Sequence, residues 1–187
     1  MANISQACYL SIRKIGRIRK YISTDCAETL INAYVTSKLD CNNALLYKLP
    51  KTALLKLQRI QNNAARVISR SKKYDSTEEV RKNLHWLPIE QRVQHKINVL
   101  TYKAINGLGP TYLSELLMPH APSRSLRSGD QHRLHERKAR TTAGDRAFSV
   151  SAPYLWNRLP ESLRQASSVN VFKNDLKTHL FERAFKC

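Results

Sequence analysis

Lys56, Arg59, Asn63, Arg66, Arg70 and Lys73 recur every three or four residues within KTALLKLQRIQNNAARVISRSKK, residues 51–73. At that spacing the side chains share one face of a helix. Leu54, Leu57, Gln61, Ala64 and Ile68, with Ala53, Ile60 and Val67 beside them, form a second, apolar stripe. The whole stretch lacks Asp and Glu. Solvated helix faces usually mix both signs and gain from pairs four residues apart, whereas a face of one sign repels itself. Such a face has two readings: solubility of a basic protein, or electrostatic contact with a polyanion, for which nucleic acid is the usual candidate.

Two further groups carry the same potential. Arg13, Arg17 and Lys20 lie on one side of an amphipathic pattern near the start, and Arg124, Arg127, Arg133, Arg137, Lys138 and Arg140 crowd a stretch with no helical period. Charge is segregated along the chain. Residues 1–73 carry 14 Lys and Arg against 3 Asp and Glu, net +11; residues 74–118 carry 5 against 5; residues 119–187 carry 13 against 6, net +7. The total of +18 therefore sits at two basic ends around a neutral middle. Contacts of such groups to phosphates position a protein without reading base sequence.

Catalytic patterns are missing by comparison. The five glycines are scattered, so no phosphate-cradling loop is built, and no Asp pair suits two-metal chemistry. Asp175-Leu176-Lys177 has the form of a nuclease carboxylate–lysine tail but lies in a helical pattern without a partner carboxylate. His120, His132 and His135 lack the ligand spacing of a zinc site. Cys41 has no local signature of a nucleophile. Trp86 and Trp156 could stack on bases, but their apolar surroundings favour core packing. The expectation is a non-enzyme without metal or cofactor.

The elements that position these groups are helical. Apolar content is 42%, enough for a core in 187 residues, and long helical patterns with few glycines imply an all-α, mostly helical fold. In order, the expectation is a basic helical bundle (1–73), a neutral helical packing segment (74–118), a basic linker or loose hairpin (119–143) and a C-terminal helical segment (144–187). In the first helix Ile4, Cys8, Ile15, Ile18 and Ile22 are assigned to the core, and its abrupt start suggests a larger architecture. Asp25 with Glu28 fits a capping box for a helix burying Ala27, Leu30, Ile31, Tyr34 and Val35; Ser76 with Glu79 fits another. Cys41–Leu49 reads as a short helix. Ile89, Val93, Ile97, Leu100 and Ala104 form a stripe closed by Asn106-Gly107, with Arg92, Lys96 and Lys103 outside it. Leu113, Leu116 and Leu117 should pack inward. Pro153 and Pro160 should cut the region after Gly144 into short pieces. Ser167 or Ser168 should cap a last helix burying Val169, Phe172, Leu176 and Leu180. The cysteines read as reduced thiols, with Cys8, Cys26 and Cys41 buried. No run approaches the roughly 18 apolar residues of a membrane span, and a nuclear or cytoplasmic protein is expected.

Several phrases carry a family resemblance: TLINAYVTSKLD, LPKTALLKLQRIQNNAARVI, HWLPIEQRVQHKINVLTYKAINGLGPTYLSELL, PSRSLRS, GDRAFSVSAPYLWNRLP and SVNVFKNDLKTHLF. In this order they resemble the C-terminal region of non-LTR (LINE-type) retrotransposon polyproteins, after the reverse transcriptase palm, over nearly the whole chain. The resemblance implies that residues 1–73 correspond to the polymerase thumb, which grips template–primer, and that the rest corresponds to a segment binding element RNA or target DNA. The polymerase and endonuclease active sites have no counterpart here. The chain would then be a fragment, a truncated copy or a derived host gene, with RNA, DNA or their hybrid as partner and polymerase palm and fingers as further partners in cis or trans. An inactive relic or a protein-interaction module is the alternative. Two departures stand out: RLHERKAR replaces an apolar stretch ending in Pro-Arg, and Cys41 follows Asp40 directly, without the intervening aromatic.

Overall fold

The computed structural model describes residues 2–72, 74–120 and 132–185. The described residues are mostly helical and form no sheet. They divide into two compact units. The first comprises Met1–Asn43, Leu49–Arg92 and Ala184–Cys187, and the second Ala44–Lys48 and Val93–Arg183.

The first unit is built on α1 (Ala2–Ile18), α2 (Thr24–Ile31), α3 (Ser37–Asp40), α4 (Lys51–Ser69) and α5 (Thr77–Asn83). A five-residue π turn, Asn32–Thr36, joins α2 to α3. Helices α1, α2 and α5 all pack on α4. From α4 the buried residues are Leu57, Ile60, Gln61, Ala64, Ala65 and Ile68; of the expected stripe, Ala53, Leu54 and Val67 are only half-buried, and Ala65 joins it. Buried in α1 are Cys8, Ile12 and Ile15, followed by Arg19 in the next turn. Ile4 and Ile18, assigned to the core, are exposed instead, because the true stripe runs 8, 12, 15, 19 and both lie at its margin. Tyr34 is likewise exposed: Ala27, Ile31, Val35 and Leu39 form the buried row at four-residue steps.

Caps and turns differ in detail. Ser23, not Asp25, caps α2, its hydroxyl accepting from the Cys26 amide at 3.2 Å. Ser76 stands at the start of α5 without a side-chain cap bond. In place of a helix over Cys41–Leu49 there is one 3-10 turn, Asn43–Leu46, flanked by Asn42 and Lys48 at positive φ.

The second unit holds α6 (Ile89–Ile105) from Val93 onward, α7 (Thr111–Ser114), α8 (Phe148–Trp156), α9 (Glu161–Arg164) and α10 (Val169–Phe185) up to Arg183. Gly107 takes φ +67 and Leu108 donates back to the Lys103 carbonyl at 2.8 Å, the left-handed stop expected after α6. Ser168 caps α10 through the Val171 amide. The core is an aromatic cluster: Tyr102 stacks on Phe172 at 4.5 Å between centroids, and Trp156 lies 5.7 Å from Phe172. Trp86 and Trp156 are both buried, so packing governs them. Leu117 is buried but Leu116 is 40% exposed. Pro153 sits inside α8 rather than ending it, since the helix is one of nine residues and continues to Trp156. Leu100 and Val169 are half-buried, as are Arg92 and Lys103 of the expected outer face.

Of the three described cysteines, only Cys8 is buried; Cys26 and Cys41 are exposed, in the first turn of α2 and just past the end of α3. Cys187 lies outside the described residues. Burial pushes the Cys8 thiol up, with the Lys38 charge pulling the other way. Under native alkylation Cys26 and Cys41 should react at least about 100-fold faster than Cys8, because burial both shields the Cys8 thiol and disfavours its thiolate. Comparable rates, read by mass spectrometry of the modified peptides, would contradict the packing of α1.

Candidate functional site

On α4 the basic row stands opposite the buried stripe. Lys56 and Arg59 are exposed, and among the described residues no hydrogen bond or ion pair ties either down. Asn63 and Arg66 are half-buried: Arg66 Nη1 reaches Asn63 Oδ1 and Nη2 the Asp75 carbonyl, each at 3.5 Å, the weak limit of a hydrogen bond. Arg70 ends the helix in a left-handed conformation, φ 56. From Lys56 to Arg70 the helical rise of 1.5 Å per residue gives roughly 20 Å, the axial length of duplex over which one strand carries about six phosphates at about 3.4 Å of axis each. Lys73 lies outside the described residues.

The C-terminal ends of α1 and α4 meet in a reciprocal clasp. The Arg19 guanidinium, 7% exposed, donates to the carbonyls of Val67 (3.0 Å), Ile68 (2.8 Å) and Ile22 (2.9 Å) and to Thr24 Oγ1 (2.9 Å). Arg70 Nη2 returns a bond to the Arg19 carbonyl at 3.0 Å. The last carbonyls of a helix lack intrahelical partners and carry partial negative charge, so both arginines satisfy an intrinsic need. Arg70 thus has a structural duty in addition to the surface role assigned to it. The clasp brings the exposed Arg17 and Lys20 to the same end as Arg70; Lys20 rests over the Tyr21 ring at 4.7 Å. Arg13 is exposed one turn earlier.

Part of the polar surface of α4 is spoken for internally. Gln58 Nε2 bonds Gln61 and Asn62, Gln61 Nε2 donates to the Leu87 carbonyl, Gln58 Oε1 accepts from the Ile89 amide, and Arg81 Nη1 reaches Asn62 Oδ1 at 2.7 Å. This amide ladder holds residues 81–89 and leaves Lys56 and Arg59 unencumbered, as it does Lys51 at the start of the helix. Arg92 is also committed, forking onto the Asp40 carboxylate from Nε at 2.8 Å and from Nη2.

In the second unit, Met118–His120 and Arg133–His135 pair as a short antiparallel contact: His120 N donates to the Arg133 carbonyl at 2.9 Å and His135 N to the Met118 carbonyl at 2.8 Å. Arg133, Arg137, Lys138 and Arg140 are exposed on and beyond that segment, with Arg137 Nη2 against Met118 Sδ. Arg124 and Arg127 lie outside the described residues. Arg137 and Lys138 border a cleft of about 420 Å³. Here the Tyr154 ring carries the Arg158 guanidinium 3.4 Å from its centroid and Lys48 Nζ at 5.4 Å. Lys48 pairs with Asp145 and Arg158 with Glu136, so these two cations are already neutralised. Among the described residues no group of three or more His, Cys, Asp or Glu could hold a metal ion, and no helix is long and apolar enough to cross a membrane.

Comparison of the chain with protein-family models, with curated proteins and with solved structures returned no match. Sequence reasoning missed Arg19, Lys48 and Arg158. The 8, 12, 15, 19 spacing would have placed Arg19 on the buried face; no local signal marks the other two.

Proposed function

We propose that the chain is a non-catalytic nucleic-acid-binding module, in keeping with its resemblance to the thumb and post-polymerase region of LINE-type reverse transcriptases. The observation that carries the reading is the one-signed row of α4, with Lys56, Arg59 and Arg70 exposed, set opposite a buried stripe in a stretch (51–73) that lacks Asp and Glu. Lys56 and Arg59, with Arg13, Arg17 and Lys20 on the adjoining element and Arg66 and Arg70 at the clasp, would contact phosphates of a template–primer or of element RNA. Arg133, Arg137, Lys138 and Arg140 would add contacts from the second unit, with Lys73, Arg124 and Arg127 extending both sets. Such binding needs no cofactor and suits a nuclear or cytoplasmic protein that works with polymerase palm and fingers in cis or trans.

Affinity for RNA–DNA hybrid, duplex DNA and single-stranded RNA, measured across salt, tests this reading. Log affinity should fall linearly with log salt, with a slope of about −4 or steeper for a duplex, since each neutralised phosphate contributes nearly one unit. Feeble binding at physiological salt, indifferent to substrate, would overturn it. A second reading, an interaction module or relic without nucleic-acid activity, draws on the exposed Ile4, Tyr9, Leu10 and Ile18 of α1. Self-association of the purified chain together with feeble nucleic-acid binding would favour it.

A further inference from the structure

Along residues 151–156 of α8 every side chain is buried except Tyr154, which keeps 38% of its surface exposed. Tyr154 lines the cleft of about 420 Å³, which lies wholly within the second unit. A cleft of that size admits one small molecule and excludes a duplex, which can touch only its rim.

The charges on its lining fall into two sets. Arg158 lies over Tyr154, its guanidinium 3.4 Å from the ring centroid, and Nη1 donates to the Tyr154 carbonyl at 2.6 Å and to the Glu136 carboxylate at 3.1 Å. Asn157 Nδ2 gives Glu136 a second donor at 3.0 Å. Lys48 Nζ sits 5.4 Å from the same centroid and 2.9 Å from the Asp145 carboxylate. Each carboxylate of the cleft is thus answered by a cation of its own. Arg137 and Lys138 form the other set: both are exposed on the lining, with no carboxylate partner among the described residues. Arg137 Nη2 meets Met118 Sδ, a weak acceptor, and its Nε and Nη1 stay open. The backbone amides of residues 136–140 also meet no acceptor among the described residues. Lys48, Arg137, Lys138 and Arg158 against Glu136 and Asp145 leave the lining with an excess of two positive charges.

We propose that this cleft binds one nucleoside 5′-monophosphate unit, its phosphate on Arg137 and Lys138 and its base against the Tyr154 ring. A phosphate monoester carries about −1.5 to −2 charges at neutral pH, which matches the excess; a neutral nucleoside leaves it unanswered and a triphosphate exceeds it. The exposed aromatic surface calls for a planar partner, which inorganic phosphate lacks and every base has, so the cleft takes any base. The unit comes either from a free nucleotide or from an unpaired position in a strand, where two flanking phosphates of one charge each give the same total. The strand as source rests on the proposed function; the free nucleotide does not, and neither depends on the α4 row.

Calorimetric titration of the full chain with 5′-AMP, adenosine and inorganic phosphate, at matched ionic strength, tests the site. 5′-AMP should bind at least about tenfold tighter than either of the other two, since only it meets both the cations and the ring. Tyr154→Leu should weaken 5′-AMP binding about fivefold or more and leave phosphate binding unchanged. Arg137→Gln/Lys138→Gln should weaken 5′-AMP binding about tenfold or more at the melting temperature of wild type. Both of its positions are exposed, so this variant decides the matter if Tyr154→Leu, which also unseats Arg158, fails to fold. The control Lys177→Gln/Arg183→Gln removes the same charge away from the cleft and should change 5′-AMP binding less than about twofold. 5′-AMP bound no tighter than phosphate, or weakened equally by the two double variants, overturns the site. Displacement of 5′-AMP by a single-stranded oligonucleotide but not by the duplex of the same sequence assigns the unit to a strand. Displacement by neither assigns it to a free nucleotide, and equal displacement by both overturns an enclosed site. A chain that binds 5′-AMP but no nucleic acid would remove the proposed function and leave the cleft standing, and the reverse result would do the opposite.

Discussion

Replacing Arg19 by methionine is expected to lower the stability of the chain by about 2–4 kcal/mol, with urea unfolding followed by circular dichroism as the measurement. The guanidinium makes four hydrogen bonds, two of them to carbonyls in the last turn of α4, which α1 itself helps to bury. Hydrogen bonds to a charged group contribute about 1.5–3 kcal/mol each at the upper end, but methionine recovers part of the loss by filling the space. What it cannot do is satisfy the Ile68 carbonyl, so the cost of an unpaired buried acceptor remains. Arg19→Lys should recover less than half of the loss, because one ammonium cannot serve acceptors from both helix ends. Arg17→Ala, two residues earlier but exposed, should change stability by no more than about 0.5 kcal/mol. An Arg19→Met variant that unfolds with wild type would show that the clasp carries no net stability.

Arg19 also marks where the sequence stops being readable. The amphipathic period of α4 is local information: the apolar and basic residues lie within 23 positions, and the helix they imply is observed over Lys51–Ser69, ending at the left-handed Arg70. The Gly107 stop and the Ser168 cap are local too, each a matter of a few adjacent residues. The α4 partners of Arg19, by contrast, are 48 and 49 residues away, and nothing near position 19 announces them. Basic character alone assigns such a residue to the surface. Arg70 fails in the same way from the other side, being both a member of the basic row and half of the clasp.

The apolar misassignments have a related cause. Ile4, Ile18 and Tyr34 are apolar or aromatic and near a helical stripe, yet the surface covered by neighbouring helices is narrower than the stripe that composition allows. The position of a residue around the helix decides, and a few tens of degrees separate Ile15 from Ile18 in this respect. For the candidate site, the residues of the α4 row could be read from spacing. Which of them are free could not, since the amide ladder of Gln58, Gln61 and Asn62 and the weak bonds of Arg66 depend on residues 75–89. That distinction changes the choice of variants, because reversing the charge of Arg66 disturbs a half-buried group as well as a surface charge.

Lys56→Glu/Arg59→Glu is therefore the sharper test of the α4 face. Both side chains are exposed and unbonded, so the double variant should keep the helical circular dichroism and the melting temperature of wild type. Its affinity for duplex or hybrid should fall about 100-fold or more near 0.1 M salt, and the salt slope should become shallower by about two, one unit for each phosphate contact removed. Net charge alone would also weaken binding, since the variant drops from +18 to +14. The matched control is Lys177→Glu/Arg183→Glu on α10, which makes the same change in net charge with two exposed residues that belong to none of the three basic groups. If diffuse charge drives association, both double variants lose the same affinity. If the row on α4 is the contact surface, the α10 variant should weaken binding by less than about fivefold and keep nearly the wild-type slope. Equal losses in the two variants would remove the α4 face as a site even if the chain binds nucleic acid.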